Sequence, residues 1–322
     1  MSTPPPTSTQ LNSSPLLAWM QLVRLPTVFT ALADILLGTQ LVVPAEATTS
    51  PKALGLLLVA SAGLYLAGMV FNDVFDRHRD AVERPGRPLP SGRITLSSAV
   101  TLGTVLMIGG VVAAATADGS SSRAGLLVAL GLAVCVLAYD GLLKTTPLGP
   151  VAMGACRSLN VLLGATIGGS LEALAHGPPL HVAAGLGIYI TGVTWFARNE
   201  AGSSTRGQLT AAVLLINIGL ATLIAFAGMS QTAQQQDTSI SVLLLMALIV
   251  VSINRKLIAA IRDPRPERVQ SGVGILLLSL IMIDATLALA ASGRTTPALL
   301  IASLLVPALV LVLRSFYSGP GP

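Results

Sequence analysis

Residues 52–80 read KALGLLLVASAGLYLAGMVFNDVFDRHRD. The run 52–73 is almost continuously apolar and, as a helix, has about the ~20 residues that cross a hydrocarbon core. It ends in a dense set of acids, an amide and arginines. A run with such an end predicts a transmembrane helix whose last turns reach the membrane surface. The pattern repeats in both directions, with apolar runs at 16–43, 96–117, 124–140, 148–171, 181–198, 207–229, 239–254, 271–292 and 296–316. The runs at 124–140 and 239–254 are short, and the first run is broken by Arg24, Pro26 and Asp34. The expectation is an all-α, polytopic membrane bundle of nine transmembrane helices, ten if every run crosses. One membrane domain would cover 16–316, between a disordered, Pro-rich tail at 1–15 and a short C-terminal tail at 317–322.

Composition excludes a soluble domain. Of 322 residues, 52% are hydrophobic and 10% charged, against roughly a quarter charged in soluble proteins, and mean hydropathy is +0.77. The net charge of +5 does not point to nucleic acid, because the basic residues lie in short connections between apolar runs rather than on a soluble face. Connections after runs two, four, six and eight carry thirteen Lys and Arg; the opposite connections carry three, Lys52, Arg123 and Arg294. By the positive-inside rule, the N-terminus and the four basic loops face the cytoplasm, which fits a bacterial inner membrane. Cys135 and Cys156 fall inside apolar runs and read as small core residues. His78, His176 and His181 lack zinc-ligand spacing.

The chemistry concentrates at 69–93. On a helix, Asn72, Asp76 and Asp80 recur every four residues and Asp73 lies three before Asp76, so the four share a face. Carboxylates packed this densely repel one another unless something positive is bound, and hard oxygens in this arrangement suit Mg²⁺ bridged to phosphate. The following ERPGRPLPSGR (83–93) supplies Arg84 and Arg87, whose planar forks match phosphate oxygens, on a loop stiffened by Pro85, Pro88 and Pro90. Read alone, the stripe is also compatible with a solvated helix end neutralised by Arg77 and Arg79, and the loop with an ordinary positive-inside connection. Arg157 and Asn160, three apart in run five, either extend a phosphate or acceptor site or join helices by hydrogen bonds. Asp140 reads as a further carboxylate or as a partner for Lys144. Asp34, Asn217 and Asp284 read as packing or interface residues, and the Gly-rich 164–169 as a close helix contact.

Asn72-Asp73-x-x-Asp76-x-x-x-Asp80, followed by Arg84-x-x-Arg87-Pro-Leu-Pro-Ser-Gly, resembles the first aspartate-rich motif of the UbiA superfamily of intramembrane prenyltransferases. Arg24-Leu-Pro26 and Tyr139-Asp-Gly-Leu-Leu-Lys144 agree in order, so the resemblance covers about 16–292. It implies a bundle of about nine helices around a central, lipid-open cavity. It implies Mg²⁺-dependent capture of an isoprenoid diphosphate donor and transfer of its prenyl group to an aromatic or other lipophilic acceptor, in contact with membrane lipid. By motif position, Asn72, Asp73, Asp76 and Asp80 would hold metal and diphosphate. Arg24, Arg84, Arg87 and Lys144 would bind substrate, with Asp73, Asp76 and Lys144 closest to the chemistry.

The second acidic motif of this family departs here. The chain reads WFARNEAGSSTR at 195–206, with Glu200 standing for one carboxylate, Ser204 where another would lie, and Asn199, Glu200 and Arg206 as the remnant of the second metal and substrate half. Together with Tyr-Asp-Gly-Leu-Leu-Lys-x-Thr-Pro-Leu-Gly and Arg-x-Leu-Asn, this looks like the UbiA-like EboC branch. The CDP-alcohol phosphotransferase pattern fails, because Asp73-x-x-Asp76 is followed by Arg77 rather than Gly. The competing non-enzymatic reading is a membrane binding or transport module that keeps an isoprenoid-diphosphate pocket.

Overall fold

The structure is a computed structural model; it describes residues 15–43, 49–117, 123–168, 170–198, 204–230 and 236–317. Asn199, Glu200 and nearly all of the N-terminal tail lie outside these residues. The described residues form helices without a strand: α1 (Pro15–Leu22), α2 (Val28–Gln40), α3 (Pro51–Glu83), α4 (Leu96–Ala117), α5 (Ala124–Ala138), α6 (Gly149–Ala165), α7 (Leu171–Ala175), α8 (Pro178–Ala197), α9 (Arg206–Met229), α10 (Gln236–Arg262), α11 (Pro266–Ser292), α12 (Thr295–Ser303) and α13 (Leu305–Tyr317). Among the described residues eight helical segments are long and apolar enough to span a membrane, nine when the bent pair α1–α2 counts as one. The protein is an integral, multi-pass membrane protein. Only helices satisfy every backbone polar group within a single apolar segment.

Helix ends follow proline rather than hydropathy. The apolar run at 52–73 continues as helix to Glu83 and the run at 239–254 to Arg262; each helix stops just ahead of a proline, Pro85 and Pro264, which disfavours helical geometry in the residue before it. At 33 residues, α3 is about 50 Å long at ~1.5 Å per residue. Its last turns therefore project beyond a core about 30 Å thick, carrying the acidic stripe with them. Arg77 and Arg79, counted with the connection after the second run, lie on the helix end that carries the stripe. The tenth run breaks at Leu304, and its described apolar stretch, Thr295–Leu311, is shorter than the eight spans.

The first span is bent by 45° at Arg24, whose φ of 47° is left-handed. Pro26 has no N–H to continue the helix, so Leu25–Thr27 form a 3₁₀ turn before α2 restarts. α2 and α6 lie between two apolar clusters. One joins them to α8–α11 and includes Tyr189 and Phe196; the other joins them to α3–α5 and includes Leu57, Leu64 and Leu132. The α2–α6 contact depends on glycine. A Cβ on Gly38 would collide with the Val161 carbonyl oxygen, and one on Gly164 with that of Ile35. Asn217 of α9 and Asn254 of α10, each at 3.0 Å from the other's carbonyl, form a reciprocal amide pair, the interhelical role expected for Asn217. Large apolar residues such as Val105, Ile108, Leu214, Ile218 and Leu244 point outward, as a lipid solvent permits.

Candidate functional site

The four polar residues of α3 do share one face, and each carboxylate meets a cation from a different element. Arg24, at the break between α1 and α2, donates through Nη2 to Asp73 at 2.9 Å and to the Asn72 carbonyl oxygen at 3.3 Å. Arg87, from the following loop, donates to Asp80 at 2.6 Å and to Asp73 at 3.4 Å. Lys144 pairs with Asp76, which also receives Arg79 at 3.1 Å. Asn72 donates its amide to Asp140 at 2.8 Å. Asn72, Asp73 and Asp80 are buried, and Asp76 is half-buried.

Local chain geometry aims these side chains. After Glu83 the chain folds back: Ser91 and Ile94 donate their N–H groups to the carbonyls of Arg87 and Pro88, and Gly92 takes a positive φ of 73°. Arg93 ties the loop to Gly86 at 2.7 Å and to Gln21 at 3.1 Å. Leu89 and Ile94 pack with Leu22, Val70 and Val74, which turns Arg87 toward α3. At the end of α5, Tyr139–Leu143 widen into a π turn closed by Lys144 N–H on the Tyr139 carbonyl at 2.8 Å. Such turns are rare and concentrate at functional positions. This one brings Asp140 to Asn72 and Lys144 to Asp76.

A second polar cluster lies deeper in the bundle. The Arg157 Nε stands 2.9 Å from Asp34, and its Nη2 3.9 Å from Asp284. The guanidinium also donates to the Thr30 hydroxyl at 3.2 Å and carbonyl at 3.0 Å. Asn160 donates to Asp34 at 2.8 Å and to the Ala31 carbonyl at 2.9 Å, and it accepts from Ser61 at 2.8 Å. Both clusters open onto one cavity of about 420 Å³. Its polar wall includes Arg24, Asn72, Asp140, Asp34, Arg157 and Asn160, and its apolar wall Leu64, Leu132, Val136, Val193 and Leu277.

Thus Asn72, Asp73, Asp76, Asp80, Arg24, Arg87 and Lys144 converge, and Arg157 and Asn160 join the same cavity from its interior. Two expected residues stand apart. Arg84 is exposed at the α3 terminus, and Arg206 donates to the Arg262 carbonyl at 3.0 Å, at the end of α10. There Arg265 hydrogen-bonds Asp263 and holds its carboxyl below the usual carboxylate range. Asp34 and Asp284, expected as packing or interface residues, flank Arg157 between α2, α6 and α11. Asp140, Ser61 and Thr30 complete the polar contacts. Asp140 was readable from its spacing to Lys144; no sequence signal marks Ser61 or Thr30. Ser204, which stands where the second motif would place an acid, is buried.

The donor set suits a hard divalent cation that shares its coordination with phosphate. Among the described residues no group of three or more His, Cys, Asp or Glu could hold a metal alone. The acids instead offer one or two oxygens each, with basic side chains beside them that a cation would replace. Mg²⁺ typically uses one or two carboxylates plus substrate phosphates.

The protein is thus a helical membrane bundle with an acid-and-arginine cluster at one end of a largely apolar cavity. A sequence model of the UbiA prenyltransferase family matches residues 28–253, and the chain belongs to that family. A digeranylgeranylglyceryl phosphate synthase of Sulfurisphaera tokodaii is 37% identical over 95 residues, 30% of this chain and 34% of that protein. The matched segments span about a third to a half of the curated relatives. Among solved structures, an apo UbiA homolog from Aeropyrum pernix K1 has a TM-score of 0.64 at 20% identity, covering 81% of this chain and 96% of its own. A UbiA homolog from Archaeoglobus fulgidus bound to GPP and Mg²⁺ has a TM-score of 0.56 at 15% identity, covering 89% and 99%. These likenesses show the fold.

Proposed function

We propose that the protein is a Mg²⁺-dependent prenyltransferase that moves an isoprenoid group from its diphosphate to a lipophilic acceptor within the membrane. The observation that carries this reading is the partner arrangement at the cavity mouth: three carboxylates of one helix face, each neutralised by a basic residue from another element. The match to a UbiA homolog bound to GPP and Mg²⁺ supports it. On this reading Asn72, Asp73, Asp76 and Asp80 hold the metal, while Arg24, Arg87 and Lys144 exchange their carboxylate partners for diphosphate oxygens. Bound Mg²⁺ supplies charge neutralisation for the departing diphosphate. Arg24 and Lys144 add hydrogen bonds that strengthen as that charge grows. The apolar walls accommodate the isoprenoid chain and keep water from the allylic carbon. On this reading the mouth faces the cytoplasmic side of a bacterial inner membrane, which the positive-inside pattern supports, and both substrates enter from the lipid.

The test is thermal stabilisation of the detergent-purified protein by a geranyl thiolodiphosphate, with and without Mg²⁺, in wild type and Asp76→Asn. Mg²⁺-dependent stabilisation that the substitution removes is expected; no shift in the wild type at saturating analogue would overturn the reading. A binding or transport module without turnover is the second reading, favoured by Ser204 in place of an acid. Formation of a prenylated product from labelled GPP decides between the two.

A further inference from the structure

We propose that Asp34, with Arg157, Asn160 and Thr30, is the seat for the acceptor's polar head, and that this head is an uncharged hydroxyl-bearing group rather than a carboxylate or phosphate. The inference rests on the prenyl-transfer reading and concerns the other substrate.

Position comes first. The four residues line the same cavity as Arg24 and Asn72, but they form a separate network reached from α2 and α6. With the diphosphate held at the mouth, this network is the second polar surface that a co-bound molecule meets.

The hydrogen-bond inventory then sets the chemistry. Asp34 and Asp284 are fully buried and together present four carboxylate oxygens. Only Asp34 Oδ2 accepts a hydrogen bond, from Asn160; Asp34 Oδ1 and both oxygens of Asp284 receive none. Asn160 is engaged on Ala31 and Asp34 and the Arg157 Nη atoms on Thr30, while the Arg157 Nε, ion-paired to Asp34 at 2.9 Å, makes no hydrogen bond. The network therefore has three open carboxylate oxygens against one open donor, and buried acceptors without donors are costly. A hydroxyl entering the cavity supplies a hydrogen to Asp34 Oδ1 and can accept in turn from a remaining guanidinium N–H.

Charge points the same way. One guanidinium faces two carboxyl groups, so its positive charge is already matched. A carboxylate or phosphate head would bring more negative charge into a water-poor interior, where like-charge contact is strongly unfavourable. A neutral hydroxyl satisfies the open oxygen without that cost.

The experiment uses the full chain in nanodiscs and two matched probe pairs: 4-hydroxybenzyl alcohol with 4-hydroxybenzoate, and 1-O-hexadecylglycerol with its 3-phosphate. Binding is measured by calorimetry on protein saturated with Mg²⁺ and geranyl thiolodiphosphate, and again on donor-free protein. In at least one pair the neutral member is expected to bind about tenfold or more tighter than its anionic partner, and Asp34→Asn is expected to remove that preference while leaving thiolodiphosphate binding intact. Anionic members that bind equally or better in both pairs, absence of binding by any neutral probe, or a preference unchanged in Asp34→Asn would each overturn the proposal. Asp284→Asn provides a second route if Asp34→Asn does not purify: removing its charge is expected to tighten binding of the anionic members about tenfold, and no change refutes the charge argument. Failure of the thiolodiphosphate to bind is a separate result that sinks the donor reading, and the donor-free arm still decides the acceptor seat.

Discussion

Asp76 and Arg157 represent two uses of a buried charge. Asp76 is half-buried and met by Lys144 and Arg79, an arrangement that opens easily because its partners are flexible. Asp76→Asn is expected to leave the protein folded and to lower prenyl transfer by about 10²–10³-fold, the scale of losing one group that stabilises transition-state charge; turnover of labelled GPP checks it. Arg157 has no such freedom. Removing it strands Asp34 and Asp284, both fully buried, and losing one partner of a buried ion pair typically costs ~3–5 kcal/mol. Arg157→Ala should therefore lower the melting temperature sharply even without substrate. Restoration of wild-type stability by the triple change Asp34→Asn, Asp284→Asn, Arg157→Ala would confirm that uncompensated charge is the cause. At this scale the sequence identified the acidic stripe because residue type and spacing alone place it on one face. It left Arg157 open, because its partners lie 123 and 127 positions away (157 − 34 and 284 − 157).

Among the elements, α2 carries the most constraint. It is bounded by a left-handed Arg24 and a 3₁₀ turn at Pro26, and it lies against α6 with glycine on both sides of the contact. Gly38→Val is expected to force the two helices apart and destabilise by at least the ~1–3 kcal/mol of an overpacked core, with loss of folded protein in detergent as the readout. The Asn217–Asn254 pair should be mild by comparison. A double-mutant cycle to Ala is expected to return a coupling near ~0.6 kcal/mol, the average for interhelical hydrogen bonds in membranes. Apolar runs located nearly every helix but stop short of the ends of α3 and α10, because hydropathy reports where lipid contact stops, whereas the helix continues until proline intervenes. The π turn at Tyr139–Leu143 was not readable, since nothing in YDGLL distinguishes a turn of five residues from one of four.

For the whole molecule, the distribution of Lys and Arg makes a directional prediction. In a Cys135→Ala, Cys156→Ala background, Ser91→Cys should react with a membrane-impermeant maleimide only when the cytoplasmic face is exposed, and Thr295→Cys only from the opposite face. Both positions are exposed. Labelling in the reverse sense would invert the assigned orientation and place the cavity mouth on the other side of the membrane.

The sequence by itself determined the solvent, the helical class, the number of spans to within one, and the face of α3 that carries the acidic stripe. Each of these depends on composition or on spacing within a single segment, and lipid allows a lone apolar segment of this length only one regular structure. Tertiary structure decided which cation meets which carboxylate, that Asp34 and Asp284 flank Arg157, and that both polar clusters face one cavity. Those outcomes depend on how α2, α3, α5, α6 and α11 approach one another. That approach is set by side-chain volume at the helix contacts, by the glycines that let backbones touch and by the break at Arg24, all of which act between segments far apart in the chain.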